Sequence, residues 1–244
     1  MTSARSSNCR LARNWCFPII LLLAIAQGQE PAKSQDPPEV LQHVLSQMDQ
    51  TAANFRTTQA AFEWDQYQKV VDEHDKQKGM ICFRRVGNEV QMAAEINDPT
   101  SPKSVLFTDS KVEIYQPKID QVTRYNTGKD RAAFESFLVL GFGGSGRDML
   151  KSFDVKYIEP EKVNGVETAK LELVPKSPKV RNTFDHIWLW IDPSRGVSVQ
   201  QQLFEPSGDY RLAKYSDIQL NQKLPDNAFK LKTTNKTKVV SPQG

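Results

Sequence analysis

The stretch LGFGGSGRDML at 140–150 carries glycines at 141, 143 and 146, the spacing G-x-G-x-x-G. With that spacing a strand-to-helix turn can hold a pyrophosphate on its backbone N–H groups. Ser145 lies inside the same stretch and raises a second chemistry, that of a serine nucleophile. A nucleophile elbow needs glycine two residues to either side of the serine, and here Gly143 is in place but Arg147 holds the second position. Histidines at 43, 74 and 186 raise a third, metal binding. None has another histidine or a cysteine at ligand spacing, so each reads as a surface or satisfied histidine. No catalytic residues, no metal ligands and no cofactor are expected.

The elements around the glycines decide between these chemistries. A dinucleotide turn requires a strand entering it, a helix leaving it and a parallel βαβ unit around both. The approach RAAFESFLVL instead places Phe134, Phe137, Leu138 and Gly141 on one helical face, and Met149, Leu150 and Phe153 suit a second short helix. The glycine cluster therefore reads as a connection between two helices, with Phe142 turned into apolar surroundings.

Elsewhere the periods are those of a mainly β chain. Val40, Leu41, Val44, Leu45 and Met48 give one amphipathic helix behind Pro37 and Pro38. After Phe55 the period changes to two: Phe62 and Trp64 alternate with Glu63 and Asp65, and Val90, Met92, Ala94 and Ile96 alternate with more polar neighbours. Turn signals such as Asn97-Asp98-Pro99, Asn164-Gly165 and Pro206-Ser207-Gly208 recur between short β-rich segments. That pattern predicts antiparallel hairpins closing into a sandwich or barrel, in a single domain.

The ends add a compartment. Arg5, Arg10 and Arg13 precede an apolar run of 12 residues from Trp15 to Ala26, closed by Ala24-Ile25-Ala26. This has the form of a cleavable export signal over 1–26, and the run is shorter than the roughly 20 residues that span a bilayer. Residues 27–37 read as a polar, proline-rich spacer and 236–244 as a polar tail. Without the three signal arginines the chain holds 29 basic and 29 acidic residues, so its net charge of +3 gives no support for nucleic-acid binding. Cys82 alone remains of three cysteines, which excludes an internal disulfide and leaves the fold to its core.

The segment FDHIWLWID is apolar on both sides: Phe184, Trp188 and Trp190 alternate with Ile187, Leu189 and Ile191. A strand of that kind needs cover on both faces. It is either a central sandwich strand over a filled core or part of a curved sheet with one face lining a cavity.

A series of motifs, in order, resembles the LolA-type periplasmic carriers of outer-membrane lipoproteins. They are the amphipathic helix ending in Met-Asp-Gln…Asn-Phe, the pair GMICFRR…VQMAAEI, and SVLFTDSKVEIYQPKIDQVTRY. After a Phe/Leu-rich helical insert come KLELVPK, WLWID, the QQ-x-x-x-E…GDY strand and LPDNAFKLK. The resemblance runs from about residue 38 to 235. It implies an incomplete antiparallel β-barrel, a strongly curved sheet around an apolar cavity covered by helices, with 130–153 as part of the lid.

The resemblance further implies a periplasmic monomer that catalyses nothing. It would accept lipoprotein or lipid acyl chains from an inner-membrane ABC transporter and pass them to an outer-membrane acceptor. Phe62, Trp64, Val90, Met92, Phe134, Phe137, Leu138, Phe142, Trp188 and Trp190 are the expected cavity and lid residues. Arg85 is the expected lid latch, with Arg84 its competitor; the family's proline after that arginine is here Val86. A lipid-sensing regulatory domain of the same fold and an exported hydrolase are the alternative readings.

Overall fold

The computed structural model describes residues 37–87, 89–108, 111–126 and 140–242. Helix α1 (Pro37–Asn54) opens the described chain. A first series of strands follows: β1 (Thr57–Gln68), β2 (Glu73–Val86), β3 (Glu89–Ile96), β4 (Lys103–Thr108), β5 (Lys111–Gln116) and β6 (Gln121–Asn126). Helix α2 (Gly146–Ser152) introduces a second series: β7 (Phe153–Val163), β8 (Val166–Pro175), β9 (His186–Asp192), β10 (Val197–Phe204) and β11 (Tyr210–Leu220). A one-turn helix α3 (Pro178–Arg181) links β8 to β9, and β12 (Lys238–Val240) comes last.

These strands form one 12-stranded sheet in the order β12-β6-β5-β4-β3-β2-β1-β11-β10-β9-β8-β7. The chain thus lays down two meanders, β1–β6 and β7–β11, and joins them where β1 pairs with β11. Edges remain at β12 and β7, so the sheet is open and curved rather than closed, as an incomplete barrel requires. Every pairing is antiparallel except β12 on β6, which is parallel. The tail expected over 236–244 therefore contributes a strand, and the spacer expected over 27–37 ends one residue inside α1.

Cross-strand register sorts the side chains onto two faces. Phe62 lies opposite Gly79 and Tyr215, Phe83 opposite Met92, and Gln201 opposite both Ala213 and Leu189. These residues share the inner face, which α1 covers at the β7–β9 end. There Val44 and Met48, one turn apart and buried, pack on Leu171, Leu173, Ile187, Leu189 and Ile191. Pro37 and Pro38 suit the helix start because the first-turn N–H groups have no intrahelical acceptor to lose. Towards β1–β4 the inner face is filled by Phe55, Phe62, Ile81, Phe83, Met92, Phe107 and Phe142.

On the outer face Trp190 packs with Val163 and Val199, and Trp188 joins them half-buried. Lys170 sets its ammonium 4.2 Å from the centroid of the Trp188 ring. The segment after β11 crosses the outer side of β2 and β3, where buried Phe229 receives the Arg84 guanidinium at 4.1 Å. Half-buried Cys82 lies under that segment, and burial pushes its thiol pKa up.

Between β10 and β11 the sheet splits. β10 pairs with β9 from Val197 to Phe204, but with β11 only from Gln200 to Phe204. Both strands leave register at the split: β10 between Ser198 and Gln200, and β11 at Asp217, whose φ is +51°.

Candidate binding cavity and its latch

At the β1–β11 end the inner face is open. A cavity of about 490 Å³ is lined there by Trp64, Phe184, Leu203, Arg211, Ala213 and Tyr215, among others. That volume lies within the range of roughly 300–1,000 Å³ in which proteins hold small molecules. Trp64 is stacked on Phe62 with ring centroids 4.2 Å apart, so the aromatic floor is fixed from beneath. Burial raises the pKa of the Tyr215 phenol, which a hydrogen bond from Trp64 partly opposes, and the ring stays neutral in any ordinary buffer. Of the expected cavity residues within the described chain, only Trp64 lines this space. Phe184, grouped in the sequence with Trp188 and Trp190, lines it from ahead of β9, and Leu203, Arg211, Ala213 and Tyr215 line it without having been singled out, because their strands read as polar or mixed. Register with Phe62 is the signal that places them.

The glycine stretch packs against two of the lining residues, Tyr215 and Gln201. Gly141 and Gly143 both have φ of +82°, which only glycine adopts readily, and the double reversal sends Phe142 inward. Phe142 has no exposed surface and lies between Phe83, with centroids 5.3 Å apart, and the edge of Tyr215 at 4.8 Å. Gly141 O accepts from Ser198 N at 3.0 Å, and Leu140 O accepts from the Gln201 amide. Arg85 Nη2 donates to Gly143 O at 2.8 Å, and its guanidinium sits 5.7 Å from the Phe55 ring centroid. Arg84 points the other way, with Nε donating to Gln91 Oε1 at 2.7 Å, because successive strand residues face opposite sides.

The same geometry excludes phosphate. Helix α2 follows the glycines, but its N-terminus is already served by anions and a cap. Ser145 Oγ accepts from Asp148 N at 3.0 Å, and Arg147 N donates to Asp49 Oδ1 at 3.1 Å. The Asp148 carboxyl is held below its ordinary pKa by hydrogen bonds from Lys151 and Ser145, so it is ionised where a phosphate would have to sit. Among the described strands no parallel βαβ unit surrounds the turn. Among the described residues no histidine, cysteine and carboxylate cluster could hold a metal; His74 and His186 each pair with one aspartate at 2.8 Å.

Several expected site residues fall elsewhere. Trp188 and Trp190 do not reach the inner face: Leu189 lies opposite Leu171 and Gln201 there, which turns the tryptophans outward. Both sides of β9 are covered, so its apolar pattern could not say which one faced the cavity. Val90 and Met92 are on the inner face but are buried in packed core rather than lining open space, as is Phe62. Phe134, Phe137 and Leu138 lie outside the described residues, as do the expected signal over 1–26 and nearly all of the spacer.

The architecture is thus an open, curved, mainly antiparallel sheet with a helix on its inner face and an apolar cavity at one end. A model of the family "Outer membrane lipoprotein carrier protein LolA" matches residues 53–232, and the chain belongs to that family. No curated protein matches the sequence. Among solved structures, an uncharacterized conserved protein from Thermus thermophilus aligns at 11% identity and TM-score 0.53, over 83% of this chain and 99% of that one. MucB aligns at 11% identity and TM-score 0.50, over 79% of this chain and 63% of MucB. A putative outer membrane lipoprotein-sorting protein domain from Vibrio parahaemolyticus aligns at 12% identity and TM-score 0.42, over 78% and 97% of the two chains. The first two likenesses place the fold independently of the family match.

Proposed function

We propose that this protein is a periplasmic carrier that takes the acyl chains of a lipoprotein, or of a related amphiphile, into the inner-face cavity. It would receive them from an inner-membrane ABC transporter and deliver them to an outer-membrane acceptor. The observation that carries this reading is the apolar cavity over Trp64, Ala213 and Tyr215, bordered by a loop that one arginine holds through Gly143 O. Removing a 16-carbon tail from water is worth roughly 12 kcal/mol at about 0.8 kcal/mol per methylene. Moving the tail from a bilayer into such a cavity is close to neutral, so loading needs an outside energy source and release needs a weakly held cover. An exposed arginine on a single carbonyl meets the second condition.

The test is native mass spectrometry of the protein purified from a membrane-containing extract. The wild type is expected to carry lipid or acylated peptide, and Arg85→Leu to carry a different load as the loop loosens. Protein free of such species in both forms would refute the carrier reading.

A further inference from the structure

The split between β10 and β11 opens on the outer side into a second space of about 380 Å³. Its apolar walls are Val163, Val166, Val199 and Ile218, and its rim includes Asn164 and Gln219. Tyr215 lines this slot as well as the inner cavity. On the inner side, the strand partner that β10 lacks is replaced by the glycine loop, since Ser198 N donates to Gly141 O at 3.0 Å. Phe142, edge-on to Tyr215, completes the partition.

We infer that this slot is a second hydrocarbon site, which receives the far end of an acyl chain when the loop carrying Phe142 moves aside from Tyr215. The inference rests on the carrier reading and names the path by which a tail longer than the inner cavity is accommodated. The four aliphatic walls offer a hydrocarbon its contacts, and of the two charged residues that border the slot among the described residues, Arg195 is already paired with Asp192 at 2.6 Å and Asp217 is exposed to solvent. The two spaces share a wall residue, and the loop held by Arg85 forms the rest of the barrier. Both bulges serve the opening, because in-register strands would hydrogen-bond shut across it. One latch would then control both the cover of the cavity and the passage through the sheet.

The two spaces can be read separately through tryptophan. Trp64 lines the inner cavity, whereas Trp190 is 3% exposed and packs on Val163 and Val199 of the slot. Full-length variants keeping only Trp64 or only Trp190, the other tryptophans (Trp15 included) changed to phenylalanine, would be titrated with 9,10-dibromostearate. Bromine quenches indole only at short range. Saturable quenching of both is expected. Ile218→Phe or Val166→Phe, which fill the slot, should abolish Trp190 quenching and leave Trp64 quenching intact, and the intact signal shows that the filled variants fold. Quenching of Trp64 without Trp190 overturns the slot and leaves the carrier reading standing. Quenching of neither refutes both. Trp190 quenching that survives both fillers places the probe outside the slot and also overturns it.

Discussion

Arg85 touches the glycine loop through one charge-assisted hydrogen bond, and its side chain is exposed. Exposure discounts such a bond to about 0.5–1.5 kcal/mol. Arg85→Leu should therefore leave the sheet folded while raising hydrogen exchange at 140–143 several-fold, as peptide-resolved exchange would detect. Unchanged exchange there would show that Phe142 and the bonds from Ser198 and Gln201 hold the loop without Arg85. Arg85 was expected at the loop from the family resemblance; alternation puts Arg85 on the side of Ile81 and Phe83 and Arg84 on the other. The burial of Phe142 agrees with the place in the lid that the resemblance gave it. Alternation could not place Trp188 and Trp190, because β9 is apolar on both faces and the faces differ only in what covers them. Tyr215 and Leu203 were missed for the converse reason: charged and amide neighbours mask them in a chain read without its register.

At the scale of elements, the glycine loop acts as a substitute strand. It offers Leu140 O and Gly141 O to β10 at the place where β11 has turned away. A Cβ at Gly141 would stand 2.1 Å from Ser198 Cβ, at a φ of +82° that disfavours any side chain. Gly141→Ala should cost about 1–3 kcal/mol through that strain and clash, lowering the midpoint of urea denaturation. A change below about 0.5 kcal/mol would mean that the loop does not need this geometry. The helix–strand division was plain from periods of 3.6 and 2, and the turns from their Gly, Asn, Asp and Pro residues. The split between β10 and β11 was not, because register shifts arise from pairing between strands and leave no mark within either one. Strand β12 was invisible for another reason: three residues have no period.

For the molecule as a whole, the edge at β6 is closed by a strand that Asp120 clasps. Thr237 Oγ1, Thr234 Oγ1 and the Tyr115 hydroxyl all donate to the Asp120 carboxylate, and Lys238 N donates to its carbonyl. The bonds from Thr237 and Thr234 hold this carboxyl below the ordinary aspartate range. A depressed carboxyl stabilises the fold fully above its unfolded pKa, near 3.9, and stops doing so as the pH falls through its lower folded value. Below about pH 3.9, β12 should lose amide protection before the rest of the sheet, and the bared β6 edge should promote self-association visible by light scattering. Simultaneous loss of protection everywhere would contradict an independent clasp. The seam between the meanders has a consequence in time. At this seam Thr57 Oγ1 reaches Gln222 O across 165 residues, and β1 cannot find β11 until nearly the whole chain is available. Each meander can assemble from neighbours, but the surface that receives a ligand straddles the seam. A chain emerging from one end first therefore acquires its hairpins early and its binding competence last, in a single late closure slowed by the span it must bridge.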